Sequence, residues 1–160
     1  MVALLTAALV GASEAQAESS PRFGWQVSGA VGQAASDRDL DEDTSRLGSL
    51  RFLIAANERQ RFGLELASID AERGGGLDIR YTAVGIVLET RVRQCFFASI
   101  GALGYFGSGD NEDNPFGIAS MWGWEANPDK RQKLFVALRS DVIFDDPTTR
   151  LFSLAVGLRF

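Results

Sequence analysis

From Phe23 onward the chain alternates large apolar residues with small or polar ones, in short segments parted by turn-rich stretches. A period of two belongs to a β-strand, whose successive side chains point to opposite faces. The pattern predicts eight strands, over residues 23–33, 46–56, 61–69, 77–88, 95–106, 116–125, 132–144 and 152–160. In the first, Phe23, Trp25, Val27 and Val31 share one face and Gly24, Gln26, Ser28, Ala30 and Gly32 the other. In the second, Leu50, Phe52 and Ile54 oppose Ser49 and Arg51; in the third, Phe62, Leu64 and Leu66 oppose Arg61, Gly63, Glu65 and Ala67. The sixth sets Phe116, Ile118, Trp122 and Trp124 against Gly117, Ala119, Gly123 and Glu125. The seventh sets Leu134, Val136, Leu138, Val142 and Phe144 against Lys133, Ala137, Arg139 and Asp141.

Two segments are less regular. In the fourth, Asp78, Arg80 and Thr82 alternate with Ile79 and Tyr81, but from Ala83 onward both faces are apolar. That change points to a bulge or an ill-defined register. The fifth is apolar on both sides, lightened by Gly101 and Gly104. Eight strands of about ten residues match the ~9–11 that cross a bilayer at a tilt. An even count returns the chain to the side it started from. The turns expected there, residues 57–60, 89–94 and 126–131, are short and carry Arg59, Arg91, Arg93, Lys130 and Arg131. The opposite loops, 34–45, 70–76, 107–115 and 145–149, include the longest and most acidic stretches. Short periplasmic turns and longer outer loops are the habit of outer-membrane barrels.

The last strand carries the most specific signal. Phe152, Leu154, Val156, Leu158 and Phe160 form one apolar face; Ser153, Ala155, Gly157 and Arg159 form the other. This resembles the C-terminal signature of bacterial outer-membrane β-barrel proteins. The resemblance implies that the strand closes the barrel and that the barrel-assembly machinery recognises those five residues. Over the rest of the chain the strand pattern is similar to that of the small eight-stranded barrels of the outer membrane protein A and X kind. The expected fold is therefore all-β, an eight-stranded antiparallel up-and-down transmembrane barrel over residues 18–160.

A soluble barrel of the lipocalin type would also alternate, with its apolar face turned inward around a ligand. Its exterior would be dense in Lys, Glu and Thr. Here the second face is mostly Gly, Ala and Ser with isolated charges, which suits a crowded narrow lumen. The large apolar residues then meet lipid. Trp122, Trp124, Tyr81, Tyr105, Phe144 and Phe160 lie near strand ends, where aromatic girdles sit.

The N-terminus agrees with export. Val2 to Gly11 is apolar but shorter than the ~20 residues of a helical span. Ala15-Gln16-Ala17 is a small-x-small pattern, so residues 1–17 read as a signal peptide cut before Glu18, without the usual basic start. Cleavage removes one charge, Glu14, and takes the formal net charge from −5 to −4. A net negative chain argues against nucleic acid as a partner. Cys95 is the only cysteine, so no intrachain disulfide can form, and with no histidine there is no base for a catalytic thiol.

The candidate site is the set of charges on the small-residue face: Arg51, Glu65, Arg80, Arg139 and Asp141, with Asp78 and Glu125 nearer the ends. A charge in a narrow lumen must be paired, because an unpaired one costs several kcal/mol. These residues are expected to form an ion-pair network that plugs the barrel. Lipid-modifying enzymes and proteases of this architecture use a His, which is missing here, so their mechanisms do not transfer. Ser140, between Arg139 and Asp141, should face lipid. Asp37-x-Asp39-x-Asp41 starts like a calcium loop but has Glu42 and Gly48 where Gly and Glu are needed. No metal site and no cofactor is expected. The reading is of a monomeric, non-enzymatic outer-membrane barrel, in contact with outer-membrane lipids and lipopolysaccharide, with a structural or surface-interaction role. It is porin-like in pattern but too narrow for a general diffusion pore. The alternative is an outer-leaflet lipid-modifying enzyme with a His-free site.

Overall fold

A computed structural model describes residues 23–36, 43–73, 77–108, 114–126, 131–145 and 148–160. Residues 1–17, read as a signal peptide, Asp37, Asp39 and Asp41, Gly74-Gly75-Gly76, Asn127-Pro128-Asp129-Lys130 and the side chain of Asp78 lie outside the described residues.

Eight strands close into one barrel, each hydrogen-bonded to its sequence neighbour, with β1 also paired to β8. They are β1 Phe23–Ser36, β2 Asp43–Ala55, β3 Gln60–Arg73, β4 Leu77–Arg91, β5 Phe96–Ser108, β6 Phe116–Ala126, β7 Lys133–Phe144 and β8 Thr149–Arg159. All pairings are antiparallel. Closure gives every strand two partners, so no sheet edge is left with bare backbone polar groups; in a hydrocarbon solvent only such a closed sheet, or a helix, satisfies them.

The register sets the shape. Followed pair by pair from Gln26 through Arg51, Glu65, Gly85, Leu103, Gly117, Ile143 and Thr149, the pairing returns to β1 at Ser36, ten residues on. A stagger of that size tilts the strands by about 40° and leaves an interior that side chains can fill.

The sides of the sheet are opposite in character. The outside carries an exposed apolar surface that includes Trp25, Phe62, Leu64, Ile86, Trp122, Leu138, Phe152 and Leu154, with Trp122 and Leu138 both 66% exposed. Charged Arg51, Glu65, Arg139 and Asp141 are inside, at most 1% exposed. A soluble protein buries its large apolar groups and wets its charges. This barrel does the reverse, and its outward face is the lipid face. β8 shows the alternation end to end, with Leu151, Ser153, Ala155, Gly157 and Arg159 buried and Phe152, Leu154, Val156, Leu158 and Phe160 outward.

Glycines make room for large inward rings. A Cβ at Gly123 would overlap the Phe97 ring, and one at Gly157 would overlap both the Phe135 ring and the Val27 carbonyl oxygen. Phe97 and Phe135 meet edge to face, centroids 5.6 Å apart, within the barrel.

Three expectations are corrected. β4 has no bulge: it pairs in one unbroken register with β3, from Gln60–Thr90 to Arg73–Leu77, and with β5, from Arg80–Ser108 to Arg91–Phe97. Its apolar faces are instead divided by size and depth, with Tyr81, Ala83 and Val87 inward and Val84, Ile86 and Leu88 outward. Tyr81 and Tyr105 are not girdle residues; both are buried and face the lumen. Cys95 sits in the turn before β5, half-buried, and its carbonyl accepts a hydrogen bond from the Glu125 N–H at 2.7 Å.

Candidate functional site

Parity along each strand decides which side chains enter the lumen, and register decides which of them meet. Arg51 on β2 stands directly across from Glu65 on β3. The Arg51 Nε donates to Glu65 Oε2 at 3.1 Å, and another of its nitrogens lies 3.0 Å from the same oxygen. Its remaining end donates to the Ser99 hydroxyl at 3.0 Å and reaches the Met121 sulfur at 3.7 Å. Across the lumen Arg139 on β7 contacts the other oxygen of Glu65. Arg139 also grips Asp141 with two nitrogens, Nε to Oδ2 at 2.7 Å and Nη2 to Oδ1 at 2.8 Å. The Tyr105 hydroxyl donates to Asp141 Oδ1 at 2.8 Å. Two guanidinium groups and two carboxylates thus alternate in a charge-neutral row, Arg51, Glu65, Arg139, Asp141, flanked by polar donors. Pairing of this kind is what allows ions to be held out of water.

Arg80 is not part of the row. It points outward, with its side chain 67% exposed, and pairs with Asp70 at 3.5 Å. Its misplacement has a physical cause. The polar face of a strand lines the lumen only at membrane depth; at the loop end, beyond the apolar belt, the outside is wet and polar groups turn outward. There Tyr81 takes the inside position and donates to Asp145 at 2.7 Å, with its ring edge-on to Tyr105 at 6.0 Å. Ser140 lies on the outward side, paired with Phe152 of β8.

A second cluster lies at the opposite mouth, where β1 begins and β8 ends. Arg159 contacts Glu89 at 2.6 Å, Gln26 at 2.8 Å and Glu125, and its guanidinium lies 4.7 Å from the Phe97 ring centroid. Arg61 reaches Glu89 at 3.4 Å. Glu125 also meets Arg91 at 3.3 Å and Lys133 at 3.8 Å. Only Glu125 of these carboxylates was singled out by the sequence. The other, Glu89, has the right parity for the lumen, but its meeting with Arg159 depends on the register between strands far apart in the chain.

Beyond this cluster the mouth opens into a vestibule of about 870 Å³. Seven arginine and lysine side chains line it, with Glu58 the one acidic side chain among the described lining residues. The turns that frame it are tight. In Ala56–Arg59 the Asn57 side-chain oxygen accepts from the N–H groups of Arg59 and Gln60, at 2.9 and 2.8 Å. In the turn at 92–95 the N–H groups of Val92 and Arg93 donate to the Phe96 carbonyl, at 2.9 and 3.2 Å.

Comparison with known proteins gives a likeness of fold. No family model matches the chain, and no curated protein does. Among solved structures, Neisserial surface protein A superposes with a TM-score of 0.63 at 15% identity, over 88% of this chain and 98% of that one. Ail, the attachment invasion locus protein of Yersinia pestis, gives 0.51 at 17% identity, over 86% and 97%. A de novo designed transmembrane β-barrel gives 0.53 at 12%, over 90% and 98%. The chain has the fold of the small outer-membrane β-barrels, and its apolar exterior is that of a barrel that spans a membrane.

Proposed function

We propose that this protein is a non-enzymatic outer-membrane barrel whose interior is sealed, acting in envelope structure or in contacts made by its loops. The observation that carries the reading is the buried, neutral row of Arg51, Glu65, Arg139 and Asp141 across the middle of the lumen. A solute path there would have to break ion pairs held out of bulk water, which is costly. The aromatic rings of Phe97, Phe135 and Tyr105 add bulk on either side of the row. The names of two proteins with this fold, a surface protein and an attachment locus protein, agree with a role at the cell surface. The outward residues of β8, from Phe152 to Phe160, serve in this reading as the signal for the barrel-assembly machinery, and the folded barrel works as a monomer among outer-membrane lipids and lipopolysaccharide.

Reconstitution into planar bilayers tests the sealed interior. The protein is expected to insert without stepwise ionic conductance. Paired removal of the two central arginines, Arg51→Ala with Arg139→Ala, in a barrel that still shows its folded gel mobility, should then open a measurable leak. Steady channels from the unaltered protein would overturn the reading.

A further inference from the structure

The vestibule and the lipid face share a corner. An apolar groove of about 510 Å³ runs across the outside of β5 to β8, and Val92 and Arg93, which line the vestibule, also form its head. Two rows of paired residues make its floor. The first is Phe96, Trp124 and Val136; the second, one step deeper, is Trp122, Leu138 and Leu154. All six point outward and are substantially exposed. Arg93 is exposed, and no ion pair joins it to a carboxylate among the described residues. Arg59 and Arg131 line the vestibule but not the groove, so Arg93 is the one cation among the described residues that belongs to both.

We propose that this corner holds one anionic glycerophospholipid of the leaflet facing the short turns, its phosphate on Arg93 and an acyl chain along the groove. This site presupposes the membrane-embedded barrel proposed above. A groove on a lipid face fills with acyl chain, and the cation at its head selects the headgroup. Basic side chains at the membrane surface attract anionic lipid by about 1 kcal/mol each, or about fivefold in binding. A free phosphate would be drawn to the axial vestibule and would make no use of the groove. Trp124, two residues from the end of β6, offers a flat edge at the interfacial depth where such rings settle, and Trp122 lies one step deeper beside Leu138.

The two tryptophans also report on the site. In a Trp25→Phe background, with excitation selective for indole, only Trp122 and Trp124 report. The full barrel is reconstituted in phosphatidylcholine vesicles containing either dibrominated phosphatidylglycerol or dibrominated phosphatidylethanolamine. Phosphatidylglycerol is expected to reach half-maximal quenching at about a fivefold lower mole fraction. Arg93→Gln should erase that preference while leaving quenching by phosphatidylethanolamine unchanged, which shows the barrel still inserted. Sodium pyrophosphate in the buffer should not compete. Equal quenching by both lipids, or a preference that survives Arg93→Gln, overturns the site. Competition by pyrophosphate reassigns the phosphate to a soluble anion in the vestibule and overturns the lipid. Absence of quenching by either lipid is a different failure, that of the membrane reading itself.

Discussion

Leu138 and Arg139 are adjacent in β7 and live in opposite solvents, one 66% exposed on the lipid face and the other buried in the row of charges. Leu138→Arg is expected to cost about 2–4 kcal/mol, the midplane penalty for a cation on a barrel exterior. Arg139→Leu acts by another route. Glu65 keeps Arg51, but Asp141 keeps only the Tyr105 hydroxyl among its described partners. Leaving a buried carboxylate without its cation costs about 3–5 kcal/mol at neutral pH. The loss should shrink as the pH falls, because protonation removes the stranded charge. Urea unfolding of both variants in lipid vesicles, at neutral and acidic pH, measures this; a silent Arg139→Leu would be incompatible with the row. Gly157→Ala probes the inner wall. Its methyl would press on both the Phe135 ring and the Val27 carbonyl, and overpacking of that kind costs about 1–3 kcal/mol. The same unfolding assay should rank it below Arg139→Leu in severity. At this scale the sequence revealed parity, which put Arg51, Glu65, Arg139 and Asp141 inside. It could not reveal depth, and Arg80 and Tyr81 were misread for that reason; Tyr105 was misread because both faces of β5 are apolar.

At the scale of the strand, β8 does two things with one alternation. Its inward side brings Arg159 to Glu89 and leaves Gly157 open for Phe135, while its outward side is unbroken apolar surface. The final residue also takes part in closure, since Phe160 and Trp25 exchange backbone hydrogen bonds at 2.8 and 3.3 Å. Phe160→Asp is expected to lower the amount of folded barrel in the outer membrane, read by fractionation and immunoblotting; normal levels would argue against the five outward residues as an assembly signal. Most strands were legible because a lipid face and a crowded lumen demand unlike side chains. β4 and β5 were harder. Their inward positions hold Ala83, Val87, Leu103 and Tyr105, so both faces are apolar and alternation in hydropathy fades, although the backbone register continues without a break.

For the whole molecule, closure by β1 and β8 makes unfolding a matter of opening a ring. The barrel is expected to resist sodium dodecyl sulfate at room temperature and to shift in gel mobility only on boiling; a single mobility at both temperatures would count against a closed barrel. The order of strands was readable from the chain, but the stagger of ten residues was not, because it depends on pairings summed around the circle. The central row has a consequence in time. Arg51 and Glu65 meet as soon as the β2–β3 hairpin forms, whereas Arg139 reaches Glu65 from 74 residues away. During synthesis and insertion the first half of the barrel therefore carries a carboxylate with one oxygen unanswered, and the last quarter carries Arg139 with only its neighbour Asp141. Neither half rests comfortably in oil alone. The contact between them spans the finished ring, and parting the halves would strand both charges again, which opposes opening.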